Sequence, residues 1–374
     1  MKVTIARAEL MRGLQHAQAI LERRNTIPIL SNVMLEAKSG RIVITSTDLD
    51  IAFHEEISAD VETSGSITVP GHLFFDIARK LSDDTKIGLE TQDGRMIVTA
   101  GRARFSIPTL SAKEYPVMMP ETGSEFTMSV KNLQSLLTRP RFAMSTEDTR
   151  YYLNGIYLHI GQSSDKSRDL LYAVATDGHR LRMATVEKPE DMRADTPDII
   201  IPRKAVNEIC RVLDGASPDE TVSLSISKGK IRIQFGKIDF ISKTVDGTFP
   251  DYSRVIPTSH NSSLTADAEV LKNIIDRVSI VALERTKAVK MEMSDQGTIV
   301  SVTSPDMGTA TETASGEFEG PNLTIGFNSS YLQEILSQYG KDKIEMLLGD
   351  AGSPTLIRKV GTVDDLSVLM PMRV

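Results

Sequence analysis

Apolar and polar residues alternate in short runs along this chain, and three of these runs change into a helical spacing. The three segments begin at Lys2, Glu125 and Ser263. Alternation is typical of a strand with one buried face, and apolar residues every three or four positions are typical of an amphipathic helix. Each segment is therefore predicted to be a strand that leads into a helix. The predicted buried helical positions are Leu10, Leu14, Ile20 and Leu21, then Leu133, Leu136, Leu137 and Phe142, then Leu271, Ile274, Ile275 and Val278.

A second pattern also occurs three times, beginning at Ile67, Ile199 and Leu323. Each copy reads as strand, turn and helix, and a polar break and two further strands follow it. Pro70 and Pro202 fall at a strand end or first helical turn, where proline is tolerated. The order of elements is the same in all three copies, which indicates a triplicated domain. The alternative at this point is that the three copies share only a general succession of strands and helices and are not true repeats.

The predicted seams divide the chain into residues 1–124, 125–257 and 258–374. Each part has the size of a single domain. Two helices and about eight strands per part predict an α+β fold, in which the helices pack on one face of antiparallel sheet.

Composition leaves few other classes open. The chain is 40% hydrophobic and 25% charged, as in ordinary globular proteins. No apolar run approaches the ~18 residues that span a bilayer, and no signal peptide is recognisable. The single cysteine, Cys210, has the spacing of a buried helical thiol. These features predict a cytoplasmic protein without a membrane partner.

Charge is unevenly distributed. The net charge is −7, yet the six predicted helical segments together carry about +7 and the remainder about −14. A basic helical surface would attract a phosphate backbone without reading bases. The alternative is that Lys and Arg are good helix formers on a solvated face. Charge alone does not decide between the two.

The sequence gives only weak signals for a catalytic, metal-binding or nucleotide-binding site. Asp177 and His179 lie together in residues 176–180, but no Ser or Cys nucleophile motif accompanies them, so a hydrolase is a remote alternative. Histidines and the cysteine lack metal-ligand spacing, and no nucleotide-binding motif is present. We therefore expect no catalytic site, no metal and no cofactor. The Met-rich C-terminal stretch 368–374 is predicted to dock on the protein, either as an adaptable binding wall or simply as a core strand.

Several blocks, in the same order along nearly the whole chain, closely resemble the bacterial DNA polymerase III beta subunit family, the sliding clamps. The blocks lie at residues 26–30, 47–49, 150–155, 175–181, 202–204, 246–252 and 370–373. The resemblance implies three copies of a DNA-clamp domain and a head-to-tail homodimeric ring with pseudo-sixfold symmetry. It further implies a non-catalytic processivity factor that encircles duplex DNA. Implied partners are the replicative polymerase alpha subunit, the clamp loader, and other polymerases and repair proteins. A ring-shaped peptide-binding scaffold that does not depend on DNA is the alternative.

The resemblance also assigns site residues. The implied dimer contacts are Phe105 and Ile107 against Ile280 and Val281. The implied DNA contacts are Arg24, Tyr151, Tyr152, Arg203 and Lys204, with a role for Glu147 in doubt because a carboxylate repels phosphate. The implied peptide-binding pocket comprises Leu153, Thr176, Gly178, His179, Arg180, Leu181, Pro250, Arg254, Val255, Ser353, Pro354, Val368, Leu369, Met370, Pro371, Met372 and Arg373. Arg and His at its edge are expected to orient a ligand's polar atoms.

Overall fold

The computed structural model describes residues 1–22, 26–282 and 287–374. The chain forms two compact units. The first contains Met1–Gln134 and Pro189–Val245, and the second contains Ser135–Lys188 and Asp246–Val374. No helix among the described residues is both long enough and apolar enough to cross a membrane.

Six α-helices lie in the described residues. They are α1 (Arg7–Ile20), α2 (Gly71–Lys80), α3 (Val130–Thr138), α4 (Arg203–Val212), α5 (Ala268–Val278) and α6 (Ser329–Ser337).

The strands of the first unit form two antiparallel sheets, with β5-β1-β7-β8-β9 in one and β10-β15-β16-β17-β4-β3-β2-β6 in the other. These strands and β14 are β1 (Lys2–Ala6), β2 (Asn32–Lys38), β3 (Arg41–Thr47), β4 (Ile51–Ser58), β5 (Asp60–Thr63), β6 (Gly65–Pro70), β7 (Lys86–Gln92), β8 (Arg95–Ala100), β9 (Ala103–Pro108), β10 (Ser124–Ser129), β14 (Ile199–Pro202), β15 (Thr221–Ile226), β16 (Lys230–Phe235) and β17 (Ile238–Lys243).

The strands of the second unit lie in the orders β11-β12-β13-β26-β25-β24-β18-β22 and β21-β20-β19-β23. They are β11 (Gly155–Gln162), β12 (Asp169–Thr176), β13 (Arg180–Glu187), β18 (Ser262–Asp267), β19 (Ala288–Ser294), β20 (Gly297–Ser304), β21 (Gly308–Ala314), β22 (Glu317–Glu319), β23 (Leu323–Asn328), β24 (Lys343–Leu348), β25 (Thr355–Lys359) and β26 (Leu366–Leu369).

The three predicted strand-to-helix segments are confirmed as β1–α1, β10–α3 and β18–α5. The predicted core faces of α1 and α5 are buried, and so are the three leucines of α3. Phe142 was wrongly placed on the helix. The helix α3 ends at Thr138, and Phe142 lies in a separate 3₁₀ turn, Arg141–Ala143, that begins after Pro140. A proline cannot continue a helix, which explains the break.

The helices carry less positive charge than the sequence analysis assigned to them. Within their observed bounds the six helices sum to about +4, because Arg139 and Arg141 follow the end of α3 and residues 23–25 lie outside the described residues. Cys210 lies on α4 and is half-buried, where the spacing predicted a buried thiol.

Candidate functional site

The turn between β12 and β13 is built by side chains that bond its own backbone. The Thr176 hydroxyl donates to the Arg180 carbonyl at 2.7 Å, and it accepts from the Gly178 N–H at 3.1 Å. Asp177 Oδ1 accepts from the N–H groups of His179 and Arg180 at 2.9 and 3.1 Å. Asp177 therefore fixes the turn, and a catalytic role for it with His179 has no support in this geometry.

Gly178 is required by this turn for two reasons. Its φ is +90°, a left-handed conformation that residues with a Cβ adopt at a cost. A Cβ at this position would also lie 2.7 Å from Arg150 Nη1. Arg150 is thus packed against the turn while its guanidinium pairs with Glu147, with an N–O separation of 2.7 Å.

Arg180 is buried, and each of its three side-chain nitrogens donates a hydrogen bond within the protein. Its Nε donates to Asp177 at 3.0 Å, Nη1 donates to Glu334, and Nη2 donates to the Phe142 carbonyl at 2.7 Å. Its guanidinium also lies 4.3 Å from the ring centroid of Tyr331. These contacts hold β13 to α6. The expectation that Arg180 orients a ligand's polar atoms stays a prediction.

His179 differs from Arg180 in being exposed. Its ring stacks on that of Tyr331, with centroids 6.2 Å apart and an interplanar angle of 26°. The imidazole is consequently available to a ligand, with one face against an aromatic ring. Tyr331 was missed by the sequence analysis, since a lone Tyr on a helix gives no signal that it faces residues 150 positions earlier.

The strand β26 supplies the neighbouring wall. Leu369 pairs with Arg180 on one side and with Thr355 on the other, and Val368 pairs with Leu181 and Leu356. The Met370 N–H donates to the His179 carbonyl at 2.9 Å, and the Met372 N–H donates to the Gly326 carbonyl at 2.9 Å. The C-terminal stretch is therefore docked, as predicted, first as a core strand and then along the edge of β23.

A cavity of about 390 Å³ lies nearby in the chain, and the residues that line it include Arg254, Val255, Ser353 and Pro354. Asp350 shapes one side by accepting from the Gly352 N–H at 2.8 Å. Backbone hydrogen bonds from Gly352 and contacts with Ser353 lower the pKa of the Asp350 carboxyl. Pro354 directly precedes β25, and β25 pairs with β26.

The predicted pocket residues differ in exposure. The exposed ones present surface to a ligand, the half-buried ones flank them, and the buried ones form the support beneath. The exposed residues are Gly178, His179, Pro250, Arg254, Val255, Met370 and Arg373; the half-buried ones are Thr176, Ser353, Pro354, Pro371 and Met372; the buried ones are Leu153, Arg180, Leu181, Val368 and Leu369.

The first unit contains a second copy of the turn at residues 47–51. The Thr47 hydroxyl donates to the Ile51 carbonyl at 2.7 Å, and Asp48 Oδ1 accepts from the N–H of Ile51 at 2.7 Å. The Lys243 N–H donates to the Asp50 carbonyl at 2.8 Å, as Met370 does to His179. Here, however, the two side chains are an ion pair, with Lys243 Nζ 3.0 Å from Asp50 Oδ1. The first unit therefore has the same backbone turn as the site, but Asp50 and Lys243 stand where the site has His179 and Met370.

The predicted DNA contacts form two groups. Tyr151 is 54% exposed, and its ring meets that of half-buried Tyr152 edge to face at 5.7 Å. Both lie in a 3₁₀ segment, Asp148–Leu153. Glu147 is held by Arg150, whose hydrogen bond lowers the pKa of that carboxyl.

The basic pair at the start of α4 is asymmetric. Lys204 donates to the Ile20 carbonyl at 2.9 Å and pairs with Asp48 at 2.5 Å, which joins α4 to the end of α1. Arg203 has no ion pair among the described residues, and it is half-buried. Arg203 is thus the more available cation. Arg24 lies outside the described residues.

The predicted dimer contacts also differ from one another. Phe105 and Ile107 lie on one face of β9, the last strand of its sheet, but Ile107 is only 2% exposed while Phe105 is half-buried. Ile280 is 76% exposed, and Val281 packs partly against the core of the second unit. Ile107 is already buried, so Phe105 and Ile280 are the side chains with surface available for a partner.

Three successive domains, each with two helices and antiparallel strands, define the class of DNA-clamp proteins. The chain matches the N-terminal domain of the DNA polymerase III beta subunit over residues 1–119, the central domain over 127–251 and the C-terminal domain over 253–373. The chain therefore belongs to the DNA polymerase III beta subunit family. Membership makes it a non-catalytic subunit rather than a polymerase.

Full-length relatives support the assignment. The chain is 40% identical over 379 residues to the beta sliding clamp of Caulobacter vibrioides, with all of each chain covered. It superposes with a TM-score of 0.95 and 39% identity on the sliding clamp of Bartonella birtlesii bound to griselimycin, again covering 100% of each. A TM-score of 0.95 and 39% identity also hold for the Caulobacter crescentus clamp with PEG bound to a putative beta-motif tethering region, covering 100% of this chain and 99% of that one.

Proposed function

We propose that the chain is a DNA sliding clamp and processivity factor, in which two copies close head to tail into a ring around duplex DNA. The observation that carries this proposal is the match to all three beta-subunit domains in order, with full-length coverage of named sliding clamps. The seams proposed for this chain are those predicted at residues 124–125 and 257–258. We place the protein in the cytoplasm, where bacterial DNA is replicated.

The proposed mechanism is topological. A closed ring cannot leave the duplex sideways, so only weak contacts with phosphates are needed, and such contacts carry no sequence preference. Arg203, with no ion pair among the described residues, and exposed Tyr151 support these contacts. Arg24 is proposed on the family resemblance alone.

Ring closure is proposed through edge strands. In the described part of each sheet, β9 and β21 are terminal strands, and an unpaired edge favours pairing with another chain. A head-to-tail contact that closes after two copies would cover both kinds of edge. Phe105 and strongly exposed Ile280 supply the apolar contact in this arrangement.

We propose that the pocket built from the β12–β13 turn, β26 and the nearby cavity captures a peptide segment of partner proteins. Its exposed Val255 and Met370 offer apolar contacts, and His179 offers a polar one. Partners of this kind would be the replicative polymerase alpha subunit, the clamp loader, and other polymerases and repair proteins. A tethered polymerase stays at high effective concentration near the primer end.

Retention on circular DNA tests the proposal. The protein is loaded on a nicked circle with clamp loader and ATP, separated from free protein, and then assayed before and after the circle is cut. We expect it to remain on the circle at raised salt and to leave the cut DNA by its ends. Equal loss from circle and linear DNA would contradict the clamp and favour the DNA-independent scaffold. Omission of the loader is the control.

A further inference from the structure

Methionines are abundant in this chain, and the structure sorts them by access to solvent. The sequence has 16 of them. Eight are buried: Met96, Met128, Met144, Met183, Met192, Met291, Met293 and Met346. Three are exposed, Met119 at 67%, Met307 at 61% and Met370 at 40%. Peroxides oxidise a thioether that they can reach, so exposed methionines react before buried ones.

Met370 is the exposed methionine that lies in the proposed peptide-binding pocket. Its N–H donates to the carbonyl of exposed His179 at 2.9 Å, which fixes the backbones of the two residues next to each other. The preceding residue, Leu369, is fully buried in β26, and Met372 is bonded to Gly326 two residues later. Because the backbone is held on both sides, the Met370 side chain stays at the surface of the pocket. Met119 and Met307 lie elsewhere in the chain.

We propose that Met370 is an oxidation site at which peroxide switches off peptide capture. This inference rests on the proposed peptide-binding function. In the reaction the Met370 sulfur attacks one peroxide oxygen and the O–O bond breaks. The sulfur loses two electrons and becomes a sulfoxide, and the remaining oxygen leaves as water for hydrogen peroxide or as an alcohol for an organic hydroperoxide.

The consequence for binding follows from polarity. A thioether adapts to apolar ligand groups, whereas a sulfoxide carries a strong acceptor that an apolar ligand cannot satisfy. Covering that oxygen without a donor weakens binding by about tenfold or more. Sulfoxide is reducible by dedicated reductases, so the loss is reversible. Oxidant stress would thereby release partners while leaving the clamp intact.

The test uses the full-length dimer, freed of peroxide before the probe is added, and the purified replicative polymerase alpha subunit as the probe, since the proposed function makes it a partner of the pocket. Affinity is measured by calorimetry before and after a limited dose of hydrogen peroxide, and sulfoxide at each methionine is quantified by peptide mass spectrometry. The variants are Met370→Leu, Met372→Leu, Met119→Leu and Met307→Leu, and each is compared with itself before and after peroxide. Thermal unfolding before and after peroxide checks that the fold is retained.

We expect the wild type, Met119→Leu, Met307→Leu and Met372→Leu to lose affinity by about tenfold or more in proportion to sulfoxide at position 370. Met370→Leu should keep its own starting affinity, and treatment with methionine sulfoxide reductase should restore the wild type. Unchanged affinity at full oxidation of Met370, or protection by Met372→Leu instead, would overturn the inference. Failure of the untreated protein to bind the probe would instead count against the proposed pocket.

Discussion

Single residues in the site illustrate what sequence can and cannot predict. Thr176, Gly178 and His179 could be assigned to the site because they occur in a recognisable block. The sequence could not predict which side chains of this block are exposed and which are bonded within the protein, because that depends on partners far along the chain. Arg180 donates to Glu334, which lies 154 residues away, and no local pattern announces that contact. The sequence motif was therefore enough to name candidate residues for the site, but it did not predict which of their side chains are exposed to a ligand.

Gly178→Ala tests whether Arg150 is held by the turn. The φ of +90° alone predicts a loss of about 1–2 kcal/mol in the free energy of unfolding. The new Cβ would also displace Arg150 Nη1, which is the end of a flexible side chain and can move. We therefore expect little further loss of stability, but weaker binding of the replicative polymerase alpha subunit at the proposed pocket, measured by calorimetry alongside thermal melts.

Gly215→Ala is the matched control, because its φ is +81° and nothing lies within 4 Å of the added Cβ. The two variants should lose similar stability, and only Gly178→Ala should lose affinity. Equal affinity in both variants would show that the position of Arg150 does not matter to the pocket.

At the scale of elements, helix faces were predictable because a strict three-to-four spacing leaves only one side to bury. The prediction held for α1 and α5, where every predicted position is buried. Helix ends were less predictable, since Pro140 and the 3₁₀ turn after it removed Phe142 from α3. Arg203 and Lys204 at the start of α4 were both predicted as DNA contacts, but Lys204 forms an ion pair with Asp48, which is distant in sequence.

Charge changes at the start of α4 should separate binding from stability. Arg203→Gln should weaken affinity for duplex DNA and lower the salt slope by about one, because one phosphate contact is lost. Lys204→Met should instead lower the free energy of unfolding by about 1–3 kcal/mol, because the nearly buried Asp48 loses its partner. Affinity at several salt concentrations and denaturant unfolding measure the two effects. A stable Lys204→Met with a lowered salt slope would reverse the assignment.

The β3–β4 pair carries a pH dependence. His54 accepts or donates a hydrogen bond with Thr45 at 2.9 Å, and burial lowers its pKa below the ordinary value of 6.5. Asp239 on the paired strand β17 raises the pKa and so opposes the shift, and Arg232 on the next strand, β16, lowers it further. Below pH 6.5 the unfolded chain gains a proton that the folded protein does not. Stability is therefore present above pH 6.5 and lost as pH falls toward the folded-state pKa.

His54→Gln removes that titration. Denaturant unfolding between pH 7.5 and 5 should fall less steeply for the variant than for the wild type, whatever its stability at pH 7.5. Identical slopes for the two proteins would mean that His54 is protonated as easily in the folded state as in the unfolded one.

At the scale of the whole molecule, a net charge of −7 is compatible with a nucleic-acid partner only if cations are segregated. The triplication could be recognised in the sequence because two strand–helix segments occur in the same order in each repeat. The left-handed turn geometry at residues 47–51 and 176–180 shows how repeats diverge. The backbone is retained, while an Asp50–Lys243 ion pair stands where the other copy has His179 and Met370.

The structure narrows the choice of residues that can form the predicted dimer interface. Alternation in β9 places Phe105 and Ile107 on one face, but it does not say which of them is already covered. Since Ile107 is 2% exposed and Ile280 is 76% exposed, we expect Phe105→Glu and Ile280→Asp each to convert dimers into folded monomers. A charge at an apolar seam must be desolvated without a partner, which opposes association. Sedimentation velocity at micromolar protein measures the state, and thermal melts check the fold.

Ile107→Ala separates the two roles of this strand face. It removes buried methyl groups and should cost about 2–5 kcal/mol of stability, as large-to-small changes in a core do. Because the side chain is already buried, the dimer should persist wherever the fold persists. A stable Ile107→Ala that sediments as a monomer would return Ile107 to the seam. A dimer that survives Phe105→Glu and Ile280→Asp together would place ring closure on other surfaces, and the retention of clamps on circular DNA would then have to be explained without this contact.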